Sequence, residues 1–213
     1  MQTNKRSQIF YHMYCVNDFN ERFVNTYDKI CKSSLLQKVE SINVVAVGDN
    51  KEKAKDLFKF FEKVNIRTGT NNGSESDTLK LLWNTCQKED INVLYLHSKG
   101  VTKPNFNNVK DWANLMEYFL IEKHEQCLEA LETHDVCGVN YFNTKPHYSG
   151  NFWWATSKHI KRLKELKVEK IDRLYCEYWL FDIDAVIKRK EIYNSGINHY
   201  YEPFPRQRYA IEK

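Results

Sequence analysis

INVLYLHSKG, residues 91–100, is the most informative stretch of this 213-residue chain. Its apolar part, Val93, Leu94, Tyr95 and Leu96, leaves no room for polar alternation, which is the pattern of a strand buried on both faces of an α/β sheet. It then breaks into His97, Ser98, Lys99 and Gly100. Ligands of open α/β sheets bind beyond the carboxyl ends of the strands. A central strand that releases three polar side chains and a glycine at that end therefore marks a candidate site.

The flanking sequence supplies the rest of such a sheet. Ile9 to Val16 reads as a first strand with His12 towards its carboxyl end, and Ile42 to Val47 as a second that ends in the polar turn Gly48, Asp49 and Asn50. A short third strand is expected around Val64 to Arg67. Between them, Phe19, Phe23, Tyr27, Ile30 and Cys31 recur at helical spacing, as do Ala54, Leu57, Phe58 and Phe61. Asn71, Asn72 and Gly73 signal a turn, after which Ser74 or Ser76 can cap a helix with Glu75 and Asp77 in its first turn and Leu79, Leu82, Trp83 and Cys86 on its buried face. A long helical region is predicted from about Asn107 to Glu132, followed by a short strand at Val136 to Val139. Strands alternating with helices predict an α/β fold, a single Rossmann-type domain whose mostly parallel central sheet is flanked by helices. The domain falls into two halves, over about residues 1–100 and about 101–213, and further domains could follow in a longer polypeptide.

Composition narrows the class. The chain is 42% hydrophobic and 14% aromatic, enough for a sizeable core. No apolar run approaches the roughly 20 residues of a membrane span, and the N-terminus lacks the apolar core of a signal peptide, so a cytosolic protein is expected. The six cysteines are scattered without a CxxC pair and read as reduced core thiols. A net charge of +4 with interleaved signs argues against nucleic acid but suits a phosphate-bearing ligand. The helix predicted at SKHIKRLKELK places Ile160, Leu163 and Leu166 on one side and lysines on a solvated other side.

Several chemistries lack their residues. There is no GxxxxGK[ST], GxGxxG, GxSxG or HExxH, and the seven glycines are not clustered, so phosphate would have to be met by side chains or a metal. The one Asp-x-Asp, Asp182 and Asp184, falls in CEYWLFDIDAVIKRK, which reads as a helix; two residues apart on a helix, the carboxylates would point to opposite sides. The segment YFNTKPHYSGNFWWATS and the stretch Ile192 to Tyr209 are rich in aromatic and small polar residues, the combination a sugar ring requires, although each ring can equally serve packing. Trp153 and Trp154, being adjacent, cannot both face one core.

YLHSKG, the later Trp112-x-x-x-Met116-x-Tyr118-Phe119 and HYSGNFWWATS resemble GT-A-type nucleotide-sugar glycosyltransferases, in particular those of large DNA viruses such as the chlorella viruses and the rhamnan-synthesis family. The resemblance runs from the first strand to Glu177. It implies a GT-A-like fold and transfer of a glucose- or rhamnose-like sugar from a UDP-sugar to a hydroxyl of a glycan or glycoprotein acceptor, by a monomer in the cytoplasm, of the host if the protein is viral. It also implies Mn²⁺ or Mg²⁺ at an Asp-x-Asp motif, but the matching positions here are His97, Ser98 and Lys99. Imidazole can hold Mn²⁺ and lysine can neutralise phosphate, so His97 with a late His199 are the candidate metal ligands and Lys99 the phosphate contact. His12, Asp49, Asn72, Gly73 and Asp77 are the candidate nucleotide contacts, and Ser149, Gly150, Asn151 and Trp153 would border the sugars. Asp172 and Glu177 are the candidate catalytic carboxylates, with Glu177 at an acidic helix start as the base. Two other functions fit the same residues: an inactive nucleotide-sugar-binding module, and a polyanion- or membrane-surface-binding domain on the basic stretch Lys158 to Lys170.

Overall fold

A computed structural model describes residues 5–70, 74–166 and 173–210. The chain runs β1 (Ser7–Tyr14), α1 (Phe19–Lys32), α2 (Leu35–Lys38), β2 (Ser41–Val47), α3 (Lys51–Phe58), β3 (Val64–Thr68), α4 (Ser76–Lys88) and β4 (Asn92–His97). It continues through α5 (Asn107–Glu117), a π-helical turn (Tyr118–Glu122), α6 (His124–Ala130), β5 (Val136–Val139), the hairpin β6 (Tyr141–Phe142) and β7 (His147–Tyr148), β8 (Trp153–Thr156), α7 (Ser157–Ile160), α8 (Arg173–Tyr178) and β9 (Arg189–Tyr193). One seven-stranded sheet has the order β3-β2-β1-β4-β8-β5-β9, and β8 alone runs against the other strands. This is the mostly parallel α/β sheet that the sequence predicts.

The alternation of side chains along the central strands builds two cores, one on each face of the sheet. Ile9, Tyr11 and Met13 of β1, with Leu94 and Leu96 of β4, meet α1 and α5 on one face. Phe10 of β1, with Val93 and Tyr95 of β4, meets Leu79, Leu82 and Cys86 of α4 on the other. Trp154 belongs to the first core and Trp153 to the second, which resolves how adjacent indoles are both buried. The aromatic segment expected to face sugars thus includes a strand, β8, whose side chains complete the interior.

The second half departs from expectation elsewhere. The helix predicted across CEYWLFDIDAVIKRK ends at Tyr178, passes through a single tight turn at Trp179–Phe181, and resumes as β9. Asp182 and Asp184 therefore lie on no helix: Asp182 accepts a 2.6 Å hydrogen bond from the Tyr175 hydroxyl, while Asp184 is exposed. Periodicity misled here because α8 and β9 each contribute only a few inward residues. Among the described residues of the predicted basic helix, Ser157–Ile160 alone is helical, although Ile160, Leu163 and Leu166 are buried as expected.

One interior ion cluster ties α1 to α5. Glu117 is fully buried; its carboxylate takes hydrogen bonds from Arg22, from Lys29 at 2.6 Å and from the Thr26 hydroxyl at 2.7 Å. Burial pushes this carboxyl up, but the charges of Arg22 and Lys29 outweigh it and hold the group below the usual carboxylate range. Among the described residues, no helix is long and apolar enough to cross a membrane.

Candidate functional site

Chain order reverses beside β1: β2 and β3 continue on one side of it, and β4 lies on the other. Such a switch point is where open α/β sheets bind ligands. His12 and His97 are register partners at the carboxyl ends of these two strands. Just beyond them opens a shallow cleft of about 100 Å³ lined by His12, Glu75, His97, Lys99, Trp112 and Tyr200. That is less than the roughly 300–1,000 Å³ of an enclosed small-molecule site, so a ligand seated here would extend beyond the cleft to solvent.

The floor is rigid. Ser98 donates its backbone N–H to the His12 carbonyl at 2.9 Å, and its hydroxyl accepts from the Tyr14 N–H at 2.8 Å. The Ser98 side chain thereby continues the strand ladder one step and is buried in doing so. His12 Nδ1 pairs with the Thr78 hydroxyl of α4 at 3.2 Å. His97 Nε2 lies 2.9 Å from the Gly150 carbonyl, which can only accept, so the proton sits on Nε2. Gly150 has φ +91°, and a Cβ there would lie 2.5 Å from Met116 Sδ and 3.1 Å from Trp112, so only glycine fits.

The cationic wall is built on Trp112. The Lys99 ammonium sits 3.6 Å from the centre of the Trp112 ring, and the His199 ring stacks nearly parallel to that ring at 5.6 Å. His199 is itself buried, with Nε2 beside Ser195 Oγ at 2.8 Å and Asn140 Nδ2 at 3.1 Å. Burial, and then the Lys99 charge, lower its pKa to about 4, so the imidazole is neutral at pH 7.

The opposite wall carries a carboxylate. Glu75, the residue before α4, is nine-tenths buried, and its Oε2 accepts from the Tyr95 hydroxyl and from Asn151 Nδ2, both at 2.6 Å. Asn151 Oδ1 in turn accepts from Trp153 Nε1 at 2.9 Å. Burial raises the Tyr95 phenol well above its usual range, and the Glu75 and Glu177 charges push it further the same way, so the hydroxyl stays protonated and donating. Glu75 reads from sequence as an ordinary helix-start acid; its two partners come from β4 and from the loop before β8, which no local pattern reveals. Trp112 was legible only as an inward helix residue, whereas Tyr200 fell in the stretch read as suited either to a sugar ring or to packing.

Of the sequence candidates, His12, His97 and Lys99 line the cleft. Asp77 accepts from the Thr70 N–H at 2.6 Å and closes the loop ahead of α4, and Asp49 stands exposed on its turn. Ser149 is fixed by its N–H to the Asn140 carbonyl at 2.9 Å. Asn151 and Trp153 are buried, with Trp153 stacked on Tyr95 at 5.0 Å, so neither presents a face to a sugar. Glu177 is fifth of the six residues of α8, at the carboxyl end, where the helix dipole disfavours a carboxylate. Asn72, Gly73 and Asp172 lie outside the described residues.

The donors of the described residues do not form a site for a divalent ion. Among the described residues no group of three or more His, Cys, Asp or Glu side chains is placed to hold one. The Nε2 atoms of His97 and His199 are already engaged, and the fold replaces the carboxylate pair with an ammonium.

The family described as Domain of unknown function (DUF8361) matches residues 10–213. The chain belongs to DUF8361. A search of curated proteins finds no match. Among solved structures, this DUF8361 chain is similar to 4-diphosphocytidyl-2C-methyl-D-erythritol synthase from Anaerococcus prevotii DSM 20548, with 11% identity over 89% of each chain and a TM-score of 0.50. It is also similar to a protein assigned as a nucleotide-diphospho-sugar transferase from Desulfovibrio desulfuricans G20, with 11% identity over 88% of this chain and 80% of that one, at the lower TM-score of 0.43. At such identity the likeness to the cytidylyl enzyme is one of fold.

Proposed function

We propose that this chain is a transferase that uses a nucleoside-diphosphate sugar, with UDP as the carrier and a glycan hydroxyl as the acceptor. One observation carries the reading: an ammonium, two imidazoles and a buried carboxylate converge in one cleft at the switch point of a parallel sheet. Lys99 is positioned to neutralise diphosphate, as a point charge fixed over Trp112. Its charge stabilises the leaving nucleoside diphosphate as the bond between the sugar's anomeric carbon and the phosphate oxygen breaks. The acceptor oxygen bonds to that carbon, and its proton passes to a carboxylate. Glu75 fits that role better than Glu177, because it lines the cleft while Tyr95 and Asn151 hold its orientation. Because the donor set does not suit an ion, no step is assigned to a metal.

The test is thermal shift with UDP, GDP, CMP and UDP-sugars, each with Mn²⁺ and with chelator, followed by measurement of UDP release. Ligand at about a hundred times its Kd stabilises by about 2.7 kcal/mol, and a domain of this size shifts by about 2–4 °C per kcal/mol. The expected result is a UDP-dependent shift that survives chelation, with UDP released from a UDP-sugar and lost in Glu75→Gln. A shift without release in any acceptor mixture would identify an inactive binding module. No shift with any nucleotide would refute the proposal.

A further inference from the structure

The mouth of the cleft is rimmed by aromatic rings that face solvent. Phe106 is 58% exposed and Tyr200 55% exposed, and apolar groups exposed together beside a cleft mark an interaction surface. Both rings face the same ammonium: Lys103 Nζ lies 5.8 Å from the centre of Phe106 and 5.5 Å from that of Tyr200. Lys103 and Tyr200 line the cleft itself, so the rim is continuous with it. Tyr200 packs edge-on against Trp112 at 5.0 Å, and Lys99 stands 3.6 Å from the same indole. The rim therefore begins within about 9 Å of the cation assigned to the diphosphate.

These rings are held by the backbone rather than hung on loose chain. Lys103 N–H bonds to the Gly100 carbonyl at 2.7 Å and Phe106 N–H to the Lys103 carbonyl at 3.1 Å, and Phe106 directly precedes α5. Tyr200 N–H bonds to Asn198 Oδ1 at 3.0 Å, while the neighbouring His199 is locked against Trp112, Ser195 and Asn140. Two preformed aromatic surfaces with a mobile cation between them suit a ligand with apolar C–H faces and an oxygen-rich edge.

We propose that Phe106, Lys103 and Tyr200 form the platform for the acceptor, a saccharide chain whose end reaches into the cleft. This rests on the transferase reading and replaces Ser149, Gly150, Asn151 and Trp153 as the acceptor-facing residues. A donor is largely enclosed when bound, typically 70–90% of its surface for a small ligand, so it has no use for rings this open. A chain that must leave the cleft for solvent does. Sugar rings stack on the aromatic faces through their C–H groups, and Lys103 donates to ring hydroxyls or to a uronic carboxylate.

The experiment uses the full chain with malto-, cello-, chito-, xylo- and mannohexaose and an oligogalacturonate as probes, with and without UDP. Binding is read by saturation-transfer NMR and by titration of tryptophan fluorescence, and UDP binding is read separately by thermal shift. At least one saccharide should bind; Phe106→Ala, at a ring outside the cleft lining, should weaken it at least threefold while leaving the UDP shift unchanged, and Phe106→Ala/Tyr200→Ala should weaken it at least tenfold. Lys103→Gln, which keeps the stem of the side chain, should weaken the acidic probe more than the neutral ones if the bound chain is acidic, and all bound probes alike if it is neutral. Saccharide binding without a UDP shift would uphold the platform while removing the transferase reading. No binding of any probe, binding unaffected by the double substitution, or loss of the UDP shift together with the saccharide in Phe106→Ala would each overturn the proposal, the last by placing the rim at the donor.

Discussion

Glu117→Gln should destabilise this protein more than its conservative appearance suggests. The substitution preserves shape and removes one charge, leaving Arg22 and Lys29 without their shared counter-ion. Breaking a buried pair by removing one partner typically costs about 3–5 kcal/mol. Here the two cations keep 15% and 22% of their side-chain surface exposed, so each recovers some hydration and the lower end, about 3 kcal/mol, applies. At about 2–4 °C per kcal/mol the midpoint should fall by about 6–12 °C at pH 7, measured by scanning calorimetry. The sign with pH is fixed by the lowered carboxyl. Its stabilising contribution is complete above the unfolded-state pKa of about 4.3 and is lost as pH falls through the folded value. Wild type and variant should therefore converge in stability in strong acid. A midpoint within about 2 °C of wild type at pH 7, or a gap unchanged at low pH, would refute the argument.

Three further outcomes are expected. Lys99→Ala should weaken binding of UDP by about ten- to a hundredfold, the range of a hydrogen bond to a charged group, while uridine binding changes little; equal losses for both in calorimetric titration would place Lys99 away from the phosphates. Gly150→Ala should cost about 2–4 kcal/mol in urea unfolding, combining a left-handed backbone with the overlap on Met116, and a neutral result would mean that α5 yields freely. His199, held near 4 by burial and then Lys99, contributes stability that is full above about pH 6.5, its unfolded value, and fades as pH falls towards 4. His199→Gln should flatten that part of the stability profile, and an identical profile would show that folding does not shift the titration of this ring.

The parallel half of the fold was legible because β2 and β4 are built on unbroken apolar runs and α1 and α4 carry single-sided apolar stripes. INVLYLHSKG declared both the central strand and the cleft end. The antiparallel strand at Trp153–Thr156 was obscured because both its faces are buried in a segment dense with turn formers, so the indoles read as ligand surfaces. Glu177 was misplaced by a helix boundary, and Glu75 was overlooked because its role depends on Tyr95 and Asn151, 20 and 76 residues away in the chain. Lys99 could be proposed from its position alone, whereas the indole that fixes it arrives from α5.

The reversed strand β8 has a consequence for how the protein can be divided. Residues 1–100 carry His12, Glu75, His97 and Lys99 of the cleft, yet β4 is their last strand and its outer edge is paired by β8 from the second half. An amino-terminal fragment would end in an open edge of Val93, Leu94 and Tyr95, the kind of hydrophobic ladder that recruits other chains. It would also lack Trp153 and Trp154, one lost from each face of the sheet. An engineered exchange of residues 101–213 must therefore carry β8 with it or supply a strand that pairs with β4 in the same direction.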